Sequence, residues 1–408
     1  MAHDLHNEIV EQQYTFNPRW RLVSFALMAI GLVGLAYGFI TFGGTEHSHR
    51  LWANLLLNTV FFLGIGMAAA FFVAAHYLAW GGWSVVIKRV PEAIMGYIPV
   101  GAVLLLLVLI FGQHDLYHWS HHGIMDPNDE HYDPIIAGKQ PYLNNVFFFA
   151  RFAVFLGALG FVAFLLRRNS LAEDTGTPGD IRYHRRHLVL ASIFIPIFAV
   201  YILVSAWDWL MSIDTHWFST MYGWYAFASF WVTGIAVITL TVIAMKRMGY
   251  LPNVNENHLH DLGKYMFAFS IFWTYLTYCQ YMLIWYANIP EETIYYQQRY
   301  AHYEWHFYGI FILNFVLPFL ILMSRDAKRN MTSLTVAGVI IILGHFLDFY
   351  TMIMPGVVKD HAGWGPLEIM LPFLFAGIMI FITHLRLANA PLIAKNHPYL
   401  QESLHHEI

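Results

Sequence analysis

The 408-residue chain holds a single cysteine, Cys279. Disulfides within the chain are therefore excluded, and so is an iron–sulfur cluster held by this chain's thiolates, which needs several. Charge is scarce too: 12% of the residues are Asp, Glu, Lys or Arg, against about 25% in ordinary globular domains. With 58% hydrophobic and 17% aromatic residues, the composition is that of an integral membrane protein. The formal net charge of −4 leaves no basic excess for nucleic acid. No cleavable signal peptide is expected, because the first 21 residues are polar and the apolar stretch behind them is too long for a signal core. That stretch should serve as an uncleaved anchor.

Stretches of about 20 apolar residues cross a bilayer as helices. The sequence predicts about ten, at 22–42, 54–79, 93–112, 145–166, 187–211, 219–245, 263–287, 305–323, 332–354 and 366–387. Basic residues gather near the start and in every second loop: Arg19 and Arg21, Lys88 and Arg89, Arg167 and Arg168, Lys246 and Arg247, Arg325 and Lys328, and Arg386. The loops between hold only Arg50, Lys139, Arg299 and Lys359. Cytoplasmic loops carry the excess of Lys and Arg, so both termini are expected in the cytoplasm.

Helices two to five line up with helices six to nine. The fourth span opens on YLNNVFFFARF and the eighth on YEWHFYGIF, while AWDWLM in the fifth matches FLDFYTM in the ninth. Four helices return the chain to its starting side, so the halves would be parallel repeats about an axis along the membrane normal. The expected architecture is all-α: two four-helix bundles, 54–216 and 217–358. They are flanked by helix one within 1–53 and by helix ten with a tail within 359–408.

This alignment sets Asp208 opposite Asp348, each an acid inside an apolar span. An aspartate in hydrocarbon costs roughly 2.5 to 3.5 kcal/mol on insertion scales, so it normally faces a bundle interior and handles protons, ions or a polar ligand. His345 and Asp348, three residues apart, share a helix face, and a carboxylate beside an imidazole can fix its tautomer or pass a proton through it. Arg151 is the evident countercharge for a buried aspartate, which would make a structural ion pair; its alternative is to reach out to the membrane surface. Glu304 and His306 open the eighth span, Glu368 opens the tenth, and Asp214 with His216 follows the fifth. Together they suggest a polar mouth on the outer side; singly each is a solvated helix end.

Ser270, Thr274, Thr277, Tyr278 and Tyr281 recur at three or four residues in the seventh span. They are either a hydroxyl relay for protons or packing contacts between helices. His76, His258, His260, Asp261 and His384 lie where such a relay would take up protons. The run HDLYHWSHH, with His114, His118, His121 and His122, spells histidine spacings seen in membrane di-iron desaturases. The further histidine boxes of those enzymes are missing and the run lies on the outer side, so no metal is expected. A bis-histidine haem needs paired imidazoles at one depth, for which His76 and His384 are the only pair.

The stretch WDWLMSIDTHWFSTMYGWYAFASFWVTG, from Trp207 to Gly234, together with the span layout, resembles the F-type membrane subunits of alternative complex III, a bacterial quinol:cytochrome c oxidoreductase. The wider group is the NrfD-like, or polysulfide-reductase-like, membrane subunits, and the resemblance extends over essentially the whole chain. It implies a multi-pass protein of the bacterial inner membrane with no redox centre of its own, a quinone (menaquinone or ubiquinone) as the one possible small-molecule ligand, and a role in quinol oxidation and proton transfer. The implied partners are an iron–sulfur subunit, c-type haem subunits, a paralogous NrfD-like subunit, small membrane anchors and, in some systems, a terminal oxidase. Asp208, Asp348, His345 and Arg151 are the residues carried over as candidates. A secondary transporter with buried carboxylates, or a purely structural subunit, would share the span pattern.

Overall fold

The computed structural model describes residues 12–177, 179–360 and 363–407. Among the described residues, nine helices are long and apolar enough to cross a membrane, which fits a multi-pass membrane protein. They are α1 (Pro18–Phe42), α2 (Ser48–Leu78), α3 (Arg89–Phe111), α4 (Asn145–Thr175), α5 (Arg182–Trp209), α6 (Tyr222–Arg247), α8 (Glu304–Ile321), α9 (Met331–Val358) and α10 (Pro366–Ala388). The remaining long helix, α7 (Glu256–Ala287), has 32 residues. Its length suffices, but Ser270, Thr274, Thr277, Gln280 and five tyrosines leave it short of the others in apolarity. The ten expected spans thus resolve into nine apolar helices and one more polar one.

Asparagines start several of these helices. Asn17, Asn144, Asn255 and Asn330 each accept hydrogen bonds from amides of the first turn, which satisfies donors that a helix start leaves free. Two helices are irregular. α3 passes through a 3₁₀ turn at Met95–Tyr97, and α8 widens into a π-helical segment at Ile312–Val316 just before Pro318, as a proline interrupts the regular ladder. α4 runs to Thr175, well past the expected 166, because its last turns are held in an ion network described below.

α2 and α6 are the most buried helices and stand at the centre. α2 packs on α3 and α5, and α5 on α4; α6 packs on α7 and α9, and α9 on α8. Contacts of α2 with α6 and α9, and of α5 with α6, join the two groups. α1 lies outside them against α10. The backbones approach so closely there that a Cβ on Gly31 would fall 2.2 Å from the Leu374 amide nitrogen, the kind of contact small residues permit between membrane helices.

The first and last described segments meet at one face, here the termini end. Leu392 N bonds Gln12 O at 3.2 Å, Asn396 donates to the carbonyls of Glu173 and Gly176 at the end of α4, Ser403 donates to Trp83 O at 2.6 Å, and His406 meets Asp261 of α7 at 2.7 Å. The opposite end carries the long 112–144 connection and the helix Pro290–His302.

Candidate functional site

Asp208 sits near the end of α5, 2% exposed, and Arg151 of α4 grips it with both arms of its guanidinium: Nε to Oδ2 at 2.7 Å and Nη2 to Oδ1 at 2.9 Å. The third guanidinium nitrogen donates to Tyr142 O at 3.0 Å, and the rings of Tyr142 and Phe147 cover the cation at 3.9 and 4.3 Å. Arg151 therefore points inward and does not reach for the surface. A bidentate pair of this kind is strong and specific in geometry, and its charge is balanced within itself.

Asp348 of α9 is fully buried and is held differently. The Tyr225 hydroxyl donates to Oδ1. Oδ2 accepts from Ser229 Oγ at 2.7 Å and from Trp273 Nε1 at 2.9 Å. His345 Nδ1 lies 3.5 Å from Oδ2 and 2.9 Å from Ser229 Oγ, so the serine bridges imidazole and carboxylate. Among the described residues, no Lys or Arg pairs with Asp348. Arg299, beyond the end of the next turn, is instead bound to the carbonyls of Thr351 and Tyr295 at 3.0 and 2.8 Å and lies over the Tyr295 ring. The unit contains one carboxylate, one imidazole and three neutral donors. A proton can sit on either acid–base partner without changing the total charge, and Ser229 offers a path of two short hydrogen bonds between them.

Neither a protein-family model nor a curated protein matches the chain. The remaining sequence candidates are therefore weighed on their surroundings alone. Glu304 is exposed at the start of α8. His306 accepts from Trp364 Nε1 at 2.8 Å and stacks on Tyr350 and Trp364, so it belongs to an aromatic wall rather than to the Asp348 cluster. Glu368 is paired with Arg50 at 2.7 Å, accepts from Asn54 at 3.0 Å and caps its own helix. These contacts give it a structural part.

Asp214 and His216 line a cavity of about 410 Å³ at the opposite end, together with His114, His118, His121 and Lys359. Burial pushes the Asp214 carboxyl up from its usual value, against the pull of Arg299 and Lys359. Burial also lowers the His118 imidazole, helped by His121 and His216. The polar mouth that the sequence suggests is thus built from the 112–122 histidines and the α5–α6 connection, without Glu304 or Glu368. No three His, Cys, Asp or Glu side chains among the described residues are arranged to hold a metal ion. His76 and His384 have separate neighbours: His384 meets the Tyr14 hydroxyl at 2.7 Å, and His76 the carbonyl of Phe72 at 2.8 Å.

The hydroxyl stripe of α7 does not stay on one face. Ser270 is buried, Thr274 and Thr277 return their hydroxyls to carbonyls of their own helix at 2.8 Å, and Tyr278 is 58% exposed on the outside. Tyr281 packs against Tyr296. The α7 side chain that does reach the acid is Trp273, which sequence spacing alone gave no reason to select. The same holds for Tyr225 and Ser229, one turn apart on α6 and both hydroxyl-bearing, in a helix where neither stands out from its polar neighbours.

A second group escapes the sequence altogether. Lys88, Arg89 and Arg167, which look like topology signals, are buried with Glu92 and Glu173, beside the half-buried Asp174, at the termini end. Glu92 accepts from Arg89 at 2.8 Å and Arg167 at 2.6 Å, Lys88 lies 3.4 Å from Glu173, and Arg89 also meets Asp174. Burial pulls the Lys88 ammonium below its ordinary value, although Glu92 and Glu173 oppose this.

Proposed function

We propose that the chain is a membrane subunit of a quinol:cytochrome c oxidoreductase of the alternative complex III type. In this reading it lies in a bacterial inner membrane with both termini cytoplasmic. The Asp348–Ser229–His345 unit is its proton-handling centre, and Arg151–Asp208 is its structural counterpart. The observation that carries the reading is a fully buried carboxylate that, among the described residues, no Lys or Arg pairs with, joined through one serine to a buried imidazole. Burial makes an isolated carboxylate expensive, and a histidine within reach lets the pair accept or give up a proton at modest cost.

Quinol oxidation releases two protons as electrons leave toward a haem protein, and acid–base groups inside the membrane subunit would take and discharge them. The Trp207–Gly234 stretch supports the family reading from a second side. It is the segment that resembles the F-type subunits, and it also supplies Asp208 and the Tyr225 and Ser229 donors to Asp348. The parallel-repeat reading is supported by helix neighbours: the α2–α3, α2–α5 and α4–α5 contacts have counterparts in α6–α7, α6–α9 and α8–α9. Haem c and iron–sulfur clusters would lie in partner subunits, and a quinone would be shared with them.

The test is Asp348→Asn in the purified, membrane-reconstituted complex. Turnover of quinol with cytochrome c, and the protons released per turnover, should fall while haem content and subunit composition stay normal. Wild-type values for both would leave Asp348 a structural acid and remove the basis of the proposal.

A further inference from the structure

Charged side chains at the end of a membrane helix are either held by the protein or left to the membrane surface. At the termini end of α4 the two kinds are neighbours. Arg167 is buried and donates to Glu92 at 2.6 Å, while Arg168 is exposed. It joins Arg185 and Arg186 of α5 around a cavity of about 580 Å³ whose membrane side is Leu165, Val189 and Leu190. Hydrogen bonds across the two helices fix the width of this cavity: Asn169 donates to Tyr183 O at 2.8 Å and meets His187 Nδ1 at 2.9 Å.

Among the described residues, no hydrogen bond or ion pair holds the guanidinium of Arg168, Arg185 or Arg186. Asp180, the acid of the α4–α5 connection, is engaged by Arg182 at 2.8 Å and lies within electrostatic reach of Arg186 without touching it. The cavity therefore carries a surplus of positive charge. Its depth is set by α5, which has no charged residue from Leu188 to Ala206, about 19 residues or roughly 28 Å of helix, close to the thickness of a bilayer's hydrocarbon. Arg185 and Arg186 stand just before that stretch, level with lipid headgroups. Below them both helix faces stay apolar and open. Phe161, one turn before Leu165, is 61% exposed, and Ile193, one turn after Val189, is 46% exposed.

We propose that this cavity binds one anionic phospholipid, its phosphate between Arg168, Arg185 and Arg186 and its acyl chains along the α4–α5 seam over Val189, Ile193 and Phe161. The guanidinium fork matches phosphate oxygens two at a time, and basic pockets between membrane helices favour anionic headgroups. A free phosphate shares the first half of this chemistry. It would leave the wall of Leu165, Val189 and Leu190 without a partner, whereas a glycerol backbone and its chains cover it. The proposal stands whether or not the respiratory reading does, because it rests on charge, depth and the shape of the seam.

The experiment is native mass spectrometry of the full-length protein in neutral detergent, titrated with phosphatidylglycerol, with phosphatidylcholine of the same chains, and with inorganic phosphate. The expected result is one phosphatidylglycerol bound at least about tenfold more tightly than either of the others. Each of Arg168→Gln, Arg185→Gln and Arg186→Gln should weaken it roughly fivefold, and the triple variant about a hundredfold. These side chains are exposed and unpaired, so the melting temperature without lipid should not move. Arg19→Gln/Arg21→Gln, which removes two exposed charges outside the cavity, should leave binding within about twofold. Equal binding of the two lipids, inorganic phosphate bound as tightly as phosphatidylglycerol, undiminished binding by the triple variant, or the same loss from the Arg19 and Arg21 changes would each overturn the proposal.

Discussion

Asp208 and Asp348 hold comparable places in two sets of helices with matching neighbours, yet one is locked to an arginine and the other to three neutral donors and a histidine. The difference traces to a single position. Arg151 stands nine residues beyond Tyr142 in YLNNVFFFARF; nine residues beyond Tyr303 stands Ile312, where the π-helical segment of α8 begins and whose side chain is 49% exposed. With no Lys or Arg partner among the described residues, α9 brings its own imidazole one turn from the acid, and α6 and α7 close in with Tyr225, Ser229 and Trp273. A buried acid that owns a guanidinium is fixed in one state, while a buried acid that owns an imidazole has two states of equal charge. Under the proposed function, only the second would hand a proton on.

The largest expected effect breaks the first half of this comparison. Arg151→Met leaves Asp208 buried without its partner and should destabilise the protein by about 3 to 5 kcal/mol, whereas Arg151→Met/Asp208→Leu should recover much of that loss. Thermal unfolding of the purified protein in detergent measures both. Equal melting temperatures for the wild type and Arg151→Met would show that the pair does not hold the fold.

Next in size is the bridge. Ser229→Ala removes the hydroxyl that joins His345 to Asp348, and proton release by the reconstituted complex should slow by about tenfold or more while stability changes by about 1 kcal/mol. Ser229→Thr keeps a hydroxyl and should restore release. If alanine and threonine behave alike, the serine serves packing and the two acids are less different than their surroundings suggest. The smallest effect sets the scale of a carboxylate near water. Burial tends to raise Asp133, but the Ile136 and Ile135 amides and His216 hold it net below the usual aspartate value. Its contribution is then fully present above the ordinary aspartate range and is lost as pH falls through the lower folded-state value. Amide exchange at Ile135 and Ile136 should quicken only below about pH 4.

How far these contrasts could be read beforehand follows from the range of the forces involved. Burial in a bilayer writes itself into long apolar runs, so all ten long helices seen among the described residues were legible as elements, nine of them also apolar enough to span, and so was Arg151 as the partner of an aspartate, since unlike charges are rare enough to find each other on paper. α7 was harder because length and apolarity disagree there. The donors to Asp348 were not legible: Tyr225 and Ser229 lie more than a hundred residues before it in sequence, Trp273 is one of 14 tryptophans, and each has an ordinary reason to be in a membrane helix. Lys88, Arg89 and Arg167 were legible only as charges on one side. Their burial with Glu92 and Glu173, beside Asp174, depends on how α3 and α4 meet, which no local pattern records.

The contact between α1 and α10 has a consequence for how the molecule is made. α1 leaves the ribosome long before α10, yet the surface that its glycines fit belongs to that later helix. Until α10 has been inserted, Gly31 and its neighbours face lipid, and the clasp that residues 390–406 form over the termini end cannot close. A chain stalled anywhere before Pro366 would therefore hold α1 as a loose helix beside an unfinished bundle, a state that membrane quality control can recognise by its unfilled glycine groove.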